Sequence, residues 1–373
     1  MVNYSFKLAT VAGIRIGIHY TWFIIFALIT LSLSASVAAD YPALTYTQSI
    51  AWAVITALLF FASIVLHELG HSLVAIARGV PVRSITLFIF GGVAQTERDA
   101  DSAATEFLIA IAGPLVSLTL AAVFHLLSGL LKPVYAPAAT ASDWLSFINL
   151  TVALFNLLPG FPLDGGRVFR ALVWGVTHNA AKGMRWAVVG GKLVAFGFIL
   201  FGLLLALYGQ LVNGLWLAAI GWFLLNAAES SGRNFALERL LQGVRVGEVM
   251  RHGVPQVSGG MTVAQWVDDY VLATGQRAFL VVDDGQTVGL VTLSDSRKLP
   301  RDRWPSTPVR AVMTPQRQLH QVQPSTGVAE ALRIMERHSV HQVPVAQDGV
   351  IVGWIDRDNL LRIIRLRAEA EEE

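Results

Sequence analysis

The stretch AWAVITALLFFASIVLHELGH, residues 51–71, joins an uncharged apolar run to two histidines and a glutamate. Imidazole and carboxylate groups are costly in a segment that enters lipid, so they usually have a function there. On a helix, His67 and His71 lie on one face because they are four residues apart, and both rings can bind one metal ion. Glu68 then lies beside a water at that metal. The stretch predicts a membrane-spanning helix that carries a zinc hydrolase site.

The composition of the chain is that of a membrane protein rather than a soluble one. Of its 373 residues, 54% are hydrophobic and 14% are charged, and the mean hydropathy is +0.55. The net charge of +2 carries little information, because polar and apolar residues are segregated along the chain. There is no cysteine, which excludes disulfides and Cys-ligated zinc, so a zinc site must use His, Asp or Glu.

Apolar runs in the first 228 residues predict six transmembrane helices. The first run is long enough to stay in the membrane rather than be cleaved as a signal peptide. The expected spans are about 20–37, 49–77, 105–128, 144–158, 186–208 and 211–228.

The distribution of Lys and Arg predicts the orientation of these spans. Basic side chains collect in the loops on one side, whereas the opposite loops, at about 38–48, 129–143 and 209–210, hold only Lys132. By the positive-inside rule, the basic side is cytoplasmic. Six spans then place both termini, and everything after the last span, in the cytoplasm.

Two segments of the membrane part are typical of strands rather than helices. Residues 79–97 are rich in β-branched side chains and contain Gly91-Gly92, which predicts a hairpin or re-entrant loop. Residues 13–19 alternate with period two and predict a strand at the interface. We expect the 84–95 segment to offer a strand edge to an unwound substrate. Proline substitutions along 85–90 are then expected to abolish cleavage without loss of zinc.

The C-terminal part contains two copies of one α/β unit. Val249-Met250 recurs as Val312-Met313, and GLVTLSD at 289–295 recurs as GWIDRDN at 353–359, an offset of 63 to 64 residues. We expect the copies to pack as a pseudo-twofold pair, since neither is long enough for a full core. The predicted organisation is a membrane domain at 1–228, a linker at 229–243, and the two copies at 244–303 and 304–368.

Asp164 is the candidate for a third zinc ligand. It follows the fourth span within LLPGFPLDGG, residues 157–166, where two prolines and three glycines disfavour a helix. Irregular backbone at membrane depth is tolerated where it is packed in protein or lines a wet cavity. An acid at such a break predicts a site, although a helix-capping Asp at the interface is the alternative. His19 and His125 are better explained as satisfied or interfacial histidines.

These motifs resemble those of the site-2 protease family of intramembrane zinc metalloproteases. The similarity rests on the H-E-x-x-H motif, on N-x-x-P-x-x-P-L-D-G-G from Asn156 to Gly166, and on Ala-Gly-Pro at 112–114 followed by Ser117. Ser117 stands where the family often has Asn, which we expect to affect packing more than chemistry.

The resemblance implies a role for each of these residues. It implies that His67, His71 and Asp164 bind one Zn²⁺ and that Glu68 activates the water. Asn156 would contact the substrate backbone or the developing oxyanion. An interhelical hydrogen bond is the alternative for Asn156.

The C-terminal repeat resembles a tandem pair of CBS domains. The resemblance implies an adenine nucleotide ligand, ATP or AMP, near the Thr and Asp of the Gly-x-x-Thr-x-x-Asp motif, where the second copy has Asp356 in place of the Thr and Asn359 in place of the Asp. A purely structural or dimerising pair is the alternative, and the acid at Asp356 disfavours phosphate in the second copy. The motif residues are Gly289, Thr292 and Asp295 in the first copy and Gly353, Asp356 and Asn359 in the second.

The sequence thus predicts a polytopic α-helical membrane domain with six transmembrane helices and a short membrane-associated β segment, followed by a cytoplasmic α/β CBS pair. Its expected function is cleavage of the transmembrane segment of a membrane-protein substrate. Expected partners are that substrate, the lipid bilayer, an adenine nucleotide and a second copy of the chain through the CBS pair, and no nucleic acid. The alternatives are a channel or transporter gated by the CBS pair, and an inactive protease relative.

Overall fold

Seven long helices build the N-terminal part of the chain. The structure is a computed structural model that describes residues 5–89, 91–96, 98–338, 340–357, 359–360 and 362. Among these residues, six helices are long and apolar enough to cross a membrane, as predicted. These six are α1 (Trp22–Asp40), α2 (Tyr46–Ala77), α3 (Ala103–Leu131), α4 (Ala136–Asn156), α6 (Ala180–Leu207) and α7 (Leu211–Leu241), and the shorter α5 (Asp164–Thr177) precedes α6.

Two of the predicted spans differ from the observed helices by more than six residues at one end. The fourth begins at residue 136 rather than about 144, because Pro137 in the first turn needs no N–H partner and the polar Ser142 and Asp143 lie within the helix. The sixth does not end near 228, since α7 continues to Leu241. Hydropathy located both spans but not their ends, because polar residues can extend a helix beyond its apolar part.

A four-stranded sheet packs against α2 next to the histidines. The strands are β1 (Ser5–Val11), β2 (Ile14–His19), β3 (Val82–Phe88) and β4 (Gly91–Thr96), in the order β1-β2-β3-β4.

The predicted hairpin and the predicted strand are therefore both confirmed, while β1 was not predicted. β2 and β3 are parallel, and β3 is paired on both sides, so β4 is an edge strand. Ile14 and Ile85 are fully buried and pack on Leu69 of α2. The sheet is thereby held against the helical turn that carries Glu68.

The break between α4 and α5 is docked closely on α6. The Phe161 N–H donates to the Ala187 carbonyl at 3.1 Å. Gly190 and Gly191 allow this approach, because a Cβ on either would overlap carbonyl oxygens of Pro159 or Phe161. The predicted interruption of the helix is confirmed, and α6 fixes where α5, and with it Asp164, begins.

The chain divides into two units, Met1–Arg233 and Asn234–Glu373. The second unit contains two sheets: β6 (Gln256–Ser258), β7 (Ala278–Asp283), β8 (Gln286–Thr292) and β9 (Thr314–Pro315) form one, and β10 (Gln342–Gln347), β11 (Val350–Asp356) and β5 (Arg251–His252) form the other. Its helical segments are α8 (Val246–Val249), α9 (Val263–Trp266), a π-helical turn (Val267–Leu272), α10 (Leu293–Ser296), α11 (Val328–Arg337) and 3₁₀ turns at Arg301–Arg303, Val309–Ala311 and Gln316–Gln318.

The two sequence copies exchange a strand. β5, at the start of the first copy, pairs with β11 of the second, and β9, at the start of the second copy, pairs with β8 of the first. The exchanged strands explain the repeated glycines: a Cβ on Gly289 would lie 2.5 Å from the Thr314 carbonyl oxygen, and one on Gly353 would lie 2.6 Å from the Arg251 carbonyl oxygen, with the repeated Met313 and Met250 the next nearest. The repeat found in the sequence is therefore a reciprocal packing motif.

The two copies have separate cores, the second of which also includes residues from the linker and the start of the first copy, and the two sheets share a third. Trp266, Phe279 and Val291 are buried in the first copy. Leu280 and Leu290 of the first sheet pack with Trp354 of the second. These contacts agree with the expected paired arrangement, and the domain bounds given above remain a prediction. The core of the second copy contains Leu241, Val244, Val246, Met335 and Ile355.

Candidate metal centre

Three side chains from α2 and α5 converge on one point. His67 Nε2 and His71 Nε2 each lie 3.2 Å from Asp164 Oδ2, and the two nitrogens are 3.2 Å apart. Ligands about 2.0–2.1 Å from a tetrahedral zinc lie about 3.3 Å apart, so this triangle has the size that zinc requires. The histidines are 5% and 6% exposed. The arrangement fits one zinc ion bound by these three residues.

The second ring nitrogen of each histidine is held by α3. His71 Nδ1 donates to the Ile109 carbonyl at 2.7 Å, and His67 Nδ1 lies 2.9 Å from Ser117 Oγ. A carbonyl can only accept, so the His71 Nε2 lone pair is left for a metal. The Ser117 hydroxyl contacts a proposed metal ligand in addition to packing, and the expectation that the residue matters mainly for packing stays a prediction.

Gly113 of α3 leaves space beside the three donor atoms. A Cβ built there would overlap Nε2 of both His67 and His71. No other residue type fits without displacing a ring. The placement of both rings therefore depends on the absence of a side chain at this position.

Glu68 lies between the donor triangle and the edge of the sheet. It is half-buried on α2, one residue after His67. A Cβ on Gly92 of β4 would lie 2.6 Å from Glu68 Cγ and 3.3 Å from Oε1. The glycine lets the edge strand approach the carboxylate. The proposed general base therefore lies next to the strand edge that is proposed to bind substrate.

Asp164 is directed at the histidines and is not a helix cap. The residue at the N-cap of α5 is Leu163, and Asp164 follows it in the first helical turn. Its Oδ2 lies at the distances given above from the Nε2 atoms of the two imidazoles. The capping alternative therefore does not describe this residue.

The structure places two asparagines of α4 differently. Asn149 is buried and donates to Ser63 Oγ of α2 at 3.3 Å and to the Leu145 carbonyl at 2.8 Å, so it joins helices. Asn156 is half-buried at the last residue of α4. Within the described residues, no hydrogen bond links its amide to the donor triangle or to Glu68, so its contact with substrate stays a prediction.

The other histidines of the membrane part do not join the site. His19 Nδ1 lies 2.9 Å from Thr21 Oγ1, which agrees with its interpretation as a satisfied histidine. His125 is exposed on α3.

The CBS residues of the first copy are engaged with each other. Thr292 donates to Asp295 Oδ2 through its N–H at 2.9 Å and its hydroxyl at 2.7 Å, and Lys298 Nζ donates to Asp295 Oδ1 at 2.7 Å. This is a capping box at the start of α10. The contacts are sufficient for a structural role, and nucleotide binding by this pair stays a prediction.

The second copy shows a similar arrangement with an added cation. Asp356 Oδ1 accepts from the Asn359 N–H at 2.7 Å, and its other oxygen lies 3.3 Å from Arg251 Nε. Asn359 is buried, and its amide donates to the Val249 carbonyl. Arg251 offsets the negative charge of Asp356. In the sequence analysis that charge was the reason to expect that the second copy disfavours phosphate.

Comparisons with known proteins cover both parts of the chain. Residues 55–140 and 134–200 match Peptidase family M50, and residues 246–295 and 309–366 match CBS domain. The Synechocystis sp. protein sll0528 is 34% identical over 370 residues, covering 98% of this chain and 97% of its own. The zinc metalloprotease MJ0392 of Methanocaldococcus jannaschii is 30% identical over 374 residues, covering 100% and 99%. A solved site-2 protease from Methanocaldococcus jannaschii is 31% identical, with a TM-score of 0.41, over 61% of this chain and 95% of that one.

Proposed function

The chain belongs to peptidase family M50 and is a zinc metalloendopeptidase of the site-2 protease type. We propose that it cuts a transmembrane segment of a membrane-protein substrate, and that the zinc site is formed by His67, His71 and Asp164. The observation that carries the proposal is the convergence of these donors, with His67 and Asp164 97 residues apart in sequence. When bound there, zinc supplies Lewis acidity, which lowers the pKa of water and polarises the scissile carbonyl.

The chain's own residues supply the remaining chemistry. Glu68 accepts the proton of the attacking water and returns it to the leaving amine. Ser117 and the Ile109 carbonyl hold the two rings so that both Nε2 atoms face Asp164. Gly113 leaves the room that both rings need.

A decisive experiment is the zinc content of the detergent-purified protein. We expect about one zinc per chain in the wild type, because three protein ligands and one open position make a catalytic zinc site. His67→Ala and Asp164→Ala should each lose it, whereas His125→Ala, which changes an exposed histidine of α3, should retain it. A wild type without zinc after reconstitution would favour the gated channel or the inactive relative.

The edge strand β4 is proposed to bind the unwound substrate segment. A helical peptide bond is shielded by its own turn, so the substrate must be extended near Glu68. β4 lies at the end of the sheet and its Gly92 contacts Glu68, which places an available strand edge at the proposed base. Addition of a strand to a sheet edge is a common mode of peptide recognition.

Proline in β4 is expected to reduce cleavage at least about tenfold while zinc stays bound, because it removes an edge hydrogen bond to substrate. Of Val93 and Ala94, the residue to replace by proline is the one whose N–H points away from β3, toward the free edge of β4. Residues 85–88 are unsuitable, since β3 is paired on both sides. Leu8→Pro is the control, because Leu8 lies at an irregularity of β1, the opposite edge strand. Equal loss in the two variants would contradict the proposal.

We place both termini and the CBS pair on the cytoplasmic side. The support is the excess of Lys and Arg in the loops on that side of the six spans. The substrate would then be reached from the cytoplasmic half of the membrane.

We also propose that the CBS pair binds ATP or AMP and that it mediates a homodimer. Thr292→Ala is expected to weaken nucleotide binding to the full-length protein about tenfold, by loss of one hydrogen bond to the ligand. Thr262→Ala is a matched control, because Thr262 forms an equivalent capping box with Gln265. Calorimetric titration with each nucleotide measures both. Equal affinities in wild type and Thr292→Ala would support the structural alternative.

A further inference from the structure

α3 carries a buried carboxylate that the proposed mechanism does not use. Glu106 is 3% exposed and its Oε2 lies 3.3 Å from Nε of Arg170, which is 8% exposed on α5. Arg167 Nε lies 4.0 Å from the other oxygen. Arg170 also lies 3.8 Å from the exposed Asp99. A buried ion pair therefore joins α3 to the helix that begins with Asp164.

One face of α3 contacts every element of the metal centre. Glu106, Ile109, Gly113 and Ser117 are spaced by three, four and four residues, which places them in one stripe along the helix. Ile109 and Ser117 orient the two histidines, and Gly113 leaves the space between them. Glu106 is the remaining member of the stripe, and its partner belongs to α5.

The position of Arg170 relates the ion pair to the third ligand. Along α5, Arg167 follows Asp164 by three residues and lies near its face, whereas Arg170 follows by six residues and lies about 120° round the helix from it. Arg170 is about 9 Å from Asp164 along the helix axis. A rigid helix held at Arg170 is therefore also held at Asp164.

Stability alone is a weak reason for this pair. Removing two charges from water costs several kcal/mol per ion, and an apolar replacement of a buried pair is often neutral or stabilising. An ion pair can instead fix one arrangement of two helices. Such positioning matters here because a zinc ligand must be placed within a few tenths of an ångström.

We propose that Glu106 and Arg170 are a positioning pair that holds α5, and with it Asp164, at zinc-binding distance from the histidines of α2. The inference deepens the proposed function and rests on its metal site. α3 then orients all three ligands, two by direct hydrogen bonds and one through the ion pair.

The test is zinc affinity of the full-length protein, measured by competition with a chelator. The main variant is the double substitution Glu106→Gln and Arg170→Gln, which removes the pair without leaving a buried unpaired charge. We expect affinity to fall about 10- to 100-fold, as for other outer partners of metal ligands. Asp101→Asn is the control, since it removes an exposed ion pair with Arg98 and should leave affinity unchanged.

A spectroscopic measurement separates positioning from general destabilisation. The cobalt-loaded double variant should show a changed ligand-field spectrum at saturating metal, whereas a structural role would leave the spectrum of the folded protein as in the wild type. Arg170→Lys keeps the charge but not the guanidinium geometry, and it should lie between wild type and double variant. It decides the matter if the double variant does not fold.

The failures of the two proposals are distinguishable. If the wild type binds no zinc, the proposed function fails. If the wild type binds zinc and the folded double variant, or Arg170→Lys in its place, binds with equal affinity and an equal cobalt spectrum, the positioning pair is refuted while the metal site stands.

Discussion

Replacing Glu68 by glutamine is expected to reduce peptide-bond cleavage about 100- to 10,000-fold, the usual contribution of a general base. Glutamine has the shape of glutamate but cannot accept the proton of the attacking water. His67, His71 and Asp164 are untouched, so zinc content should stay at the wild-type value. Cleavage of a single-span membrane protein that the wild type cuts, measured beside metal content, tests both statements.

The two measurements must be made on the same preparation. Loss of cleavage together with zinc would mean that Glu68 supports the site rather than acts on the water. Retained cleavage would exclude Glu68 as the base. Asp101→Asn, which changes an exposed acid, should cut at the wild-type rate.

Gly113→Ala is expected to abolish both zinc binding and cleavage, although it adds a single methyl group. The added Cβ would overlap Nε2 of His67 and His71, so one ring must leave its position. Both rings are also tied to α3 through Ser117 and Ile109, which restricts their retreat. Metal content and cleavage measured as for Glu68→Gln test this expectation.

Gly129→Ala is the matched control on the same helix. A Cβ on Gly129 meets no atom within 4 Å. Alanine in a helix interior is favoured over glycine by about 0.5–1 kcal/mol, so this variant should be at least as stable as the wild type and fully active. A Gly113→Ala protein with normal zinc would show that the rings move freely, and would contradict the tight packing described for α3.

The parts of the fold that follow from local pattern could be predicted from the sequence. The apolar runs gave the six spans, and the spacing of His67 and His71 on one helix gave two ligands. Asp164 was identified because the prolines and glycine before it interrupt the helix, although Gly165 and Gly166 lie within α5. The parallel pairing of β2 with β3 was not predictable, because it joins segments separated by two helices and the sequence carries no register signal across that distance.

The contribution of α3 to the centre was also missed. The rotation of α3 about its axis decides which of its residues face α2 and α5, and no local pattern encodes that rotation. It brings Glu106, Ile109 and Ser117 to the centre, and Ile109 acts through its backbone carbonyl. One signal was present: Glu106 is an acid within an apolar span, and such a residue needs a partner. The capping box of Thr292 and Asp295 could likewise have been identified from its spacing.

The strand exchange in the C-terminal unit has a consequence for how that unit can be divided. β5 and β9 each complete the sheet of the other copy, so the connection at residues 301–308 is not a seam between two independent bodies. A chain nicked there would stay held together by paired strands and by the shared core of Leu280, Leu290 and Trp354. Deleting one copy would instead remove a strand from the sheet of the remaining copy and expose an apolar sheet face. The pair can therefore be gained, lost or transferred to another protein only as a whole.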